Sequence, residues 1–400
     1  MTSLRFKPGL ALAAAMALGL AGCGNGPAGQ GAVGQQTTTQ PQTQAPDAVE
    51  ELGQPVTLAL LVPRSSSRAA AAQLGDALAQ AARMGVSDLN DSRIELRIYD
   101  TAGDPAVAAS AAARAVADGA DIILGPLFGS ATKTVAPTAA SAGLNVLSFS
   151  TDTSVAGGNV WVTGFLPEME AARILSFARS QSYLDVGVFY PQTPYGDAAL
   201  RGALEADRAG QTAVVGSTAF TPGFQGIQDA AEVFASSAAG ATAILIATGG
   251  TDLNSAGSFM NFYEFDPVVV KYLGLGQWFT ARTLKEVSLR GGWFPAPDPD
   301  ASRAFSDRFA ARYGSKPPLL AVLGYDAVQI AGQSVAQARR SGEEPFSAAA
   351  LTQPAGFSGA FGPVRLTPDG RNERALAILE VRTRGFETID PAPESLGAGF

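Results

Sequence analysis

The chain has 400 residues, 46% of them apolar, with 36 acidic and 28 basic side chains and a formal net charge of -8. An acidic balance without a basic run argues against nucleic acid and against anionic lipid headgroups as partners. Histidine is absent, which removes the commonest general base and metal ligand at neutral pH, and the single cysteine, Cys23, excludes disulfides and cysteine-ligated metals, so no cofactor or metal is expected.

The N-terminus has the three parts of an export signal: a basic start (Arg5, Lys7), an apolar run over 9–20, and small residues before a cut. That run is too short to span a bilayer. Leu20-Ala21-Gly22-Cys23 resembles the lipobox of bacterial lipoproteins. The resemblance implies that residues 1–22 are removed, that the Cys23 thiol is lipidated, and that this lipid is the only membrane contact. Gly24 rather than Asp after the cysteine points to the inner leaflet of the outer membrane. The competing reading is a soluble export signal with an incidental cysteine. Cleavage removes two bases and no acid, giving -8 - 2 = -10. Residues 23–54, rich in Gly, Gln, Thr and Pro, read as a disordered tether reaching roughly 30 Å as a coil. Within it, Gly24, Gly26 and Gly29 match a dinucleotide-binding pattern by chance, because no strand precedes them.

Residues 55–385, roughly 330 of them, exceed what one hydrophobic core supports. Val56–Val62 is a continuous apolar run of strand length, and an Ala-rich helical pattern follows over 68–89. The alternation repeats with strands at 94–99, 121–125 and 144–149 and helices at 106–117 and 130–141. A second series pairs helices at 168–180, 195–206, 225–236 and 253–262 with strands at 186–190, 212–218, 243–247 and 268–273. Helices at 302–312 and 321–338 and a Gly-rich strand region over 356–381 complete the body. The pattern predicts an α/β protein of two Rossmann-like lobes with parallel sheets, joined by crossover segments. The boundaries read as 55–152 plus 280–342 for lobe I, 153–279 plus 343–385 for lobe II, and a tail at 386–400.

The order of motifs resembles the type I periplasmic binding proteins of the leucine/isoleucine/valine-binding class. It runs from Tyr99-Asp100-Thr101 through Gly125-Pro126-Leu127-Phe128-Gly129-Ser130 and Pro194-Tyr195-Gly196. It ends with Leu323-Gly324-Tyr325-Asp326-Ala327, Phe357-Ser358-Gly359-Ala360-Phe361-Gly362-Pro363 and Asp369-Gly370. The lipobox, the tether and the stretch from Arg308 to Ala327 look most like the penicillin-binding protein activator lipoproteins. That resemblance implies a non-catalytic lipoprotein that binds and stimulates a bifunctional penicillin-binding protein. The alternative is a solute receptor for an ABC importer, closing its lobes on a small polar ligand.

In open α/β sheets ligands sit beyond the carboxyl ends of strands. The candidates there are Ser65 and Ser66, Gly129 and Ser130, Ser150 and Thr151 from the first lobe, and Tyr195, Thr248, Gly249 and Gln277 from the second. The start of the helix at Ser130 can hold an anion, as the amino-acid-binding relatives hold a carboxylate, or Ser130 can simply cap the helix. The acid that those relatives place near Gly276-Gln277 is missing, and Thr248 replaces a ring before Gly249-Gly250, which argues against an ordinary α-amino acid ligand. Ser130-Ala131-Thr132-Lys133 matches the S-x-x-K of serine enzymes but lacks the S-D-N and K-T-G partners. Trp293 and Phe294, among glycines and prolines, are the candidates for partner contact if exposed, or pack under the inter-lobe crossover.

Overall fold

The computed structural model describes residues 53–397; the export segment, Cys23 and nearly all of the expected tether lie outside the described residues. In the first lobe, β1 (Val56–Val62), β2 (Ile94–Asp100), β3 (Ile122–Leu124), β4 (Val146–Ser148) and β5 (Val160–Val162) form a parallel sheet in the order β2-β1-β3-β4-β5. Residues 58–62 of β1 are wholly buried, because helices cover both faces of the sheet and an apolar residue at every position finds a partner. On one face lie α1 (Ala69–Leu89) and a later helix, Val322–Ser341; on the other lie α2 (Pro105–Ala117) and α3 (Gly129–Ser141). The start of α2 is set locally. Asp104 accepts from the amides of Ala106 and Val107, and Pro105 takes the first helical position, where a missing N–H costs nothing.

The second lobe repeats the alternation with α4 (Pro167–Ser180), β6 (Asp185–Pro191), α5 (Pro194–Arg208), β7 (Ala213–Phe220), α6 (Phe224–Ser237), β8 (Ala243–Ile246), α7 (Gly250–Phe262), β9 (Lys271–Leu273) and β10 (Trp293–Ala296). The chain then returns to the first lobe through α8 (Pro299–Tyr313), α9 (Val322–Ser341) and α10 (Ala348–Leu351), and forms a small antiparallel sheet of β11 (Phe357–Gly359), β12 (Gly362–Leu366) and β13 (Asn372–Arg374). Finally β14 (Ala377–Arg382) and β15 (Gly385–Asp390) add antiparallel to β10. The second sheet then reads β15-β14-β10-β9-β8-β6-β7.

The lobe boundaries differ from those read in the sequence. Strand β5 was not anticipated and adds residues 160–162 to the first sheet. Residues 293–296 belong to the second sheet, between β9 and β14, rather than to the first lobe. Side chains of β11 and β12, Phe357 and Val364 among them, pack in the first-lobe core, although the sequence places 343–385 in the second. Residues 385–390 are an edge strand rather than a tail. Pro295 disguises β10, since proline is ordinarily confined to edges. Here β9 pairs with β10 only at Trp293, so the missing N–H of Pro295 faces no strand.

The crossovers at 163–166, 297–298 and 375–376 run together and are tied down from the first-lobe side. The Asn372 amide donates to the carbonyls of Val162 and Gly164, both at 2.9 Å. Arg374 donates to the Thr163 carbonyl at 2.9 Å and to Asp326 at 2.6 Å, with both members of the ion pair buried. Among the described residues, one helical stretch, 319–341, is long and apolar enough to cross a membrane. It is mostly buried in the first-lobe core.

Candidate ligand-binding cleft

A cavity of about 850 Å³ opens between the lobes at the carboxyl ends of the strands. The first lobe supplies the start of α3 and the segment after β4, with Gly129, Ser130, Lys133, Ser150, Thr151 and Asp152; the second supplies Tyr195, Asp197 and Arg201 from α5. Of the residues expected at a site, Gly129, Ser130, Ser150, Thr151 and Tyr195 come together here. Ser65, Ser66, Thr248, Gly249 and Gln277 do not line the cavity. The Ser65 amide donates to Asp100 at 3.2 Å and the Ser66 hydroxyl accepts from the Arg68 amide at 3.3 Å, so both shape their own loop. Thr248 is buried, and Gly249 lies against the side chain of Gln277.

Helix α3 is capped by the backbone of Phe128 with no side-chain cap, and Ser130 is exposed inside the first turn. Its hydroxyl is therefore free of the capping role the sequence allowed. The first amides of a helix have no partner within it and carry its positive end. Gly129 is required by close approach: a Cβ there would meet Asp152 Oδ2 at 2.8 Å and Ser150 Oγ at 3.1 Å. The Lys133 ammonium pairs with Asp152 at 3.7 Å. Burial pushes the Asp152 carboxyl up, but hydrogen bonds from Ser154 and the Lys133 charge outweigh it and hold the group below its ordinary range. Arg201 reaches Glu168 Oε1 at 2.8 Å, and Thr153, from the first lobe, donates to the same oxygen at 2.9 Å. One second-lobe carboxylate thus joins both walls. The same cavity is also lined by the apolar side chains of Leu74, Leu127, Phe128, Phe149 and Leu320.

Sequence reasoning missed two buried acids beside the cleft. Glu170 is 5% exposed, and its Oε2 accepts from the Tyr195 hydroxyl at 3.2 Å and the Gly276 amide at 3.0 Å. A carboxylate therefore stands at Gly276 after all, brought from α4 rather than from the local chain. Burial raises its pKa to about 7, against the two hydrogen bonds and with the Glu168 charge adding to the rise. Desolvation first, and then the charge and hydrogen bond of Glu170, push the Tyr195 hydroxyl well above its usual range, so it stays a donor. Glu168 is 3% exposed and its Oε2 has no hydrogen-bond partner. No spacing signal marks either residue; both look like ordinary acids in a first helical turn.

Trp293 and Phe294 are not a contact surface. They are 9% and 0% exposed on β10, where Trp293 Nε1 donates to Glu380 at 3.1 Å and the Lys271 ammonium lies 4.3 Å from the Trp293 ring. Their glycine and proline neighbours suggested an irregular segment; pairing on both sides turned it inward.

Solved structures share this architecture. A putative branched-chain amino acid ABC transporter protein from Rhodospirillum rubrum aligns with a TM-score of 0.71 and 19% identity, over 84% of this chain and 100% of that one. A solute-binding protein of R. palustris in complex with benzoate gives 0.59 and 18%, over 86% and 98%. The branched-chain amino acid binding protein of Streptococcus pneumoniae in complex with isoleucine gives 0.57 and 18%, over 84% and 100%. At these identities the likeness is one of fold. No curated protein matches the chain. Residues 55–386 match the family described as periplasmic binding protein, and with that match over most of its length the chain belongs to the periplasmic binding protein family.

Proposed function

We propose that the chain is a non-catalytic solute receptor that closes its lobes on a small molecule with an anionic group and an apolar body, for delivery to an ABC importer. The observation that carries this reading is the two-sided cleft. The start of α3, Ser130, Lys133 and Arg201 offer donors and positive charge from two lobes, with Lys133 and Arg201 held by Asp152 and Glu168, and five apolar side chains share the same lining. Relatives of the same fold are described with benzoate and with isoleucine, each a carboxylate on an apolar body. The reading as an activator of a penicillin-binding protein gains nothing from these comparisons, and the aromatic pair expected to meet that partner is buried. S-x-x-K catalysis also loses support, since Lys133 is paired with Asp152. The proposed location is the periplasm, with Cys23 as the lipid anchor to the outer membrane.

Thermal unfolding of the full chain with benzoate, dihydroxybenzoate, leucine and isoleucine tests the proposal. A ligand at a hundred times its dissociation constant stabilises by about 2.7 kcal/mol, and the gain should shrink in Arg201→Ala. An unchanged melting temperature across carboxylates of this class would sink it.

A further inference from the structure

Both cations of the cleft face a carboxylate of the chain itself, and the two pairs are built differently. Arg201 donates to Glu168 at 2.8 Å, and Glu168 is buried, accepts Thr153 on the same oxygen and does not line the cavity. That pair is part of the wall. The Lys133 ammonium stands 3.7 Å from Asp152 Oδ2, beyond ordinary hydrogen-bond reach, and both side chains line the cavity, 60% and 35% exposed. An ion pair so long and so open to water holds weakly, and a solute's anion can take Lys133 over.

Asp152 itself is fixed where it stands. Its Oδ1 accepts from the Ser154 amide at 3.0 Å and from the Ser154 hydroxyl at 2.6 Å, and its own amide donates to Ser150 Oγ at 2.9 Å. Its Oδ2 is left against the start of α3, where a Cβ on Gly129 would meet it at 2.8 Å. Burial works against ionisation, yet the Ser154 bonds and the Lys133 charge hold the carboxyl below its ordinary range, so it is charged at neutral pH. A fixed negative charge thus stands beside the helix start, Ser130 and Lys133, the groups that would receive an anion.

We propose that Asp152 is an internal counter-ion of the cleft, which neutralises Lys133 when no solute is bound and against whose charge every anionic solute must bind. The inference rests on the reading of the cleft as a receptor for an anionic solute. Like charges set side by side oppose binding, so Asp152 rejects anions that lack enough further contact with the cleft. It is a specificity-determining residue that acts by repulsion.

The test measures binding of benzoate and of its neutral amide, benzamide, to the full chain by calorimetry, in the parent and in Asp152→Asn. Asparagine keeps an oxygen for Ser154 and removes the charge, so the melting temperature should hold; Asp152→Ser, with a hydroxyl acceptor, gives the same reading should the asparagine chain melt early. Benzoate affinity should rise about tenfold or more. Benzamide should bind parent and variant alike, whereas a loosened loop would move both ligands. Adding Lys133→Met to Asp152→Asn should cancel the gain. Benzoate bound by Asp152→Asn and not by the parent would support the proposal while counting against the solute reading. Benzoate bound equally or more weakly by the variant, or a gain shared by benzamide, would overturn the proposal and leave that reading standing. No benzoate binding by either protein would overturn it too, and the wider set of carboxylates above decides the solute reading separately.

Discussion

Glu170 shows how a single side chain can be ordinary in sequence and unusual in the fold. Its carboxyl is buried beneath the cleft, and a Cβ on Gly276 would meet its Oε1 at 2.5 Å, so only glycine lets the loop close over it. Its folded pKa of about 7 lies above the 4.5 of an ordinary glutamate. A raised carboxyl pKa favours the protonated fold, so this stabilisation is full below about pH 4.5 and is lost as pH rises through about 7. The span corresponds to about 3 kcal/mol. Glu170→Gln should remove that part of the pH dependence, and denaturant unfolding between pH 4.5 and 8 reads it directly; an unchanged profile would mean the group is not buried as described. The buried Asp326–Arg374 pair is the other residue-scale test. Arg374→Met leaves Asp326 as a buried charge with only the Ala360 amide at 2.8 Å, and should cost about 3–5 kcal/mol in the same assay. A loss below 1 kcal/mol would show that solvent reaches the hinge.

At the scale of elements, α3 and α9 do different work. The start of α3 is the proposed anion site, where no side chain caps the helix and Ser130 stays exposed. Ser130→Ala should therefore leave stability within about 0.5 kcal/mol, the usual range for a surface change, while weakening carboxylate binding by calorimetry. A stability loss near 1 kcal/mol with unchanged affinity would return Ser130 to a capping role. Helix α9 is a packing element. Gly324 lies against the backbone of Leu78 on α1, and a Cβ there would fall on the Leu78 carbonyl. Gly324→Ala should separate the two helices and cost about 1–3 kcal/mol, with a lowered melting temperature as the readout. The existence of nearly all these helices was legible in chain order, because each buries an apolar stripe against a sheet. Strand β5 was not, since only a single turn at 153–155 separates it from β4 and it falls outside the strand-helix alternation.

For the whole molecule, solute binding should be a movement of one lobe against the other about the crossovers at 163–166, 297–298 and 375–376. The Thr153–Glu168 bond and the Arg371–Glu205 pair at 3.7 Å link the lobes in this structure. Small-angle scattering of the full chain with and without a bound carboxylate should show a smaller radius of gyration in the complex; an unchanged one would mean the cleft binds without closure. Local order in the sequence was enough to determine the two α/β lobes and to nominate strand-end positions, of which Gly129, Ser130, Ser150, Thr151 and Tyr195 line the cavity and Ser65, Ser66, Thr248, Gly249 and Gln277 do not. Each of these follows its strand within a few residues, and the end of a strand is set by the chain nearby. Only the tertiary structure decided which lobe owns 293–296, that Trp293 and Phe294 face inward, and that Glu168, Glu170 and Arg201 converge on the cleft. Those placements join residues far apart in the chain, such as Glu170 with Gly276, 106 positions away. Composition and periodicity carry no record of which distant segments will share a wall.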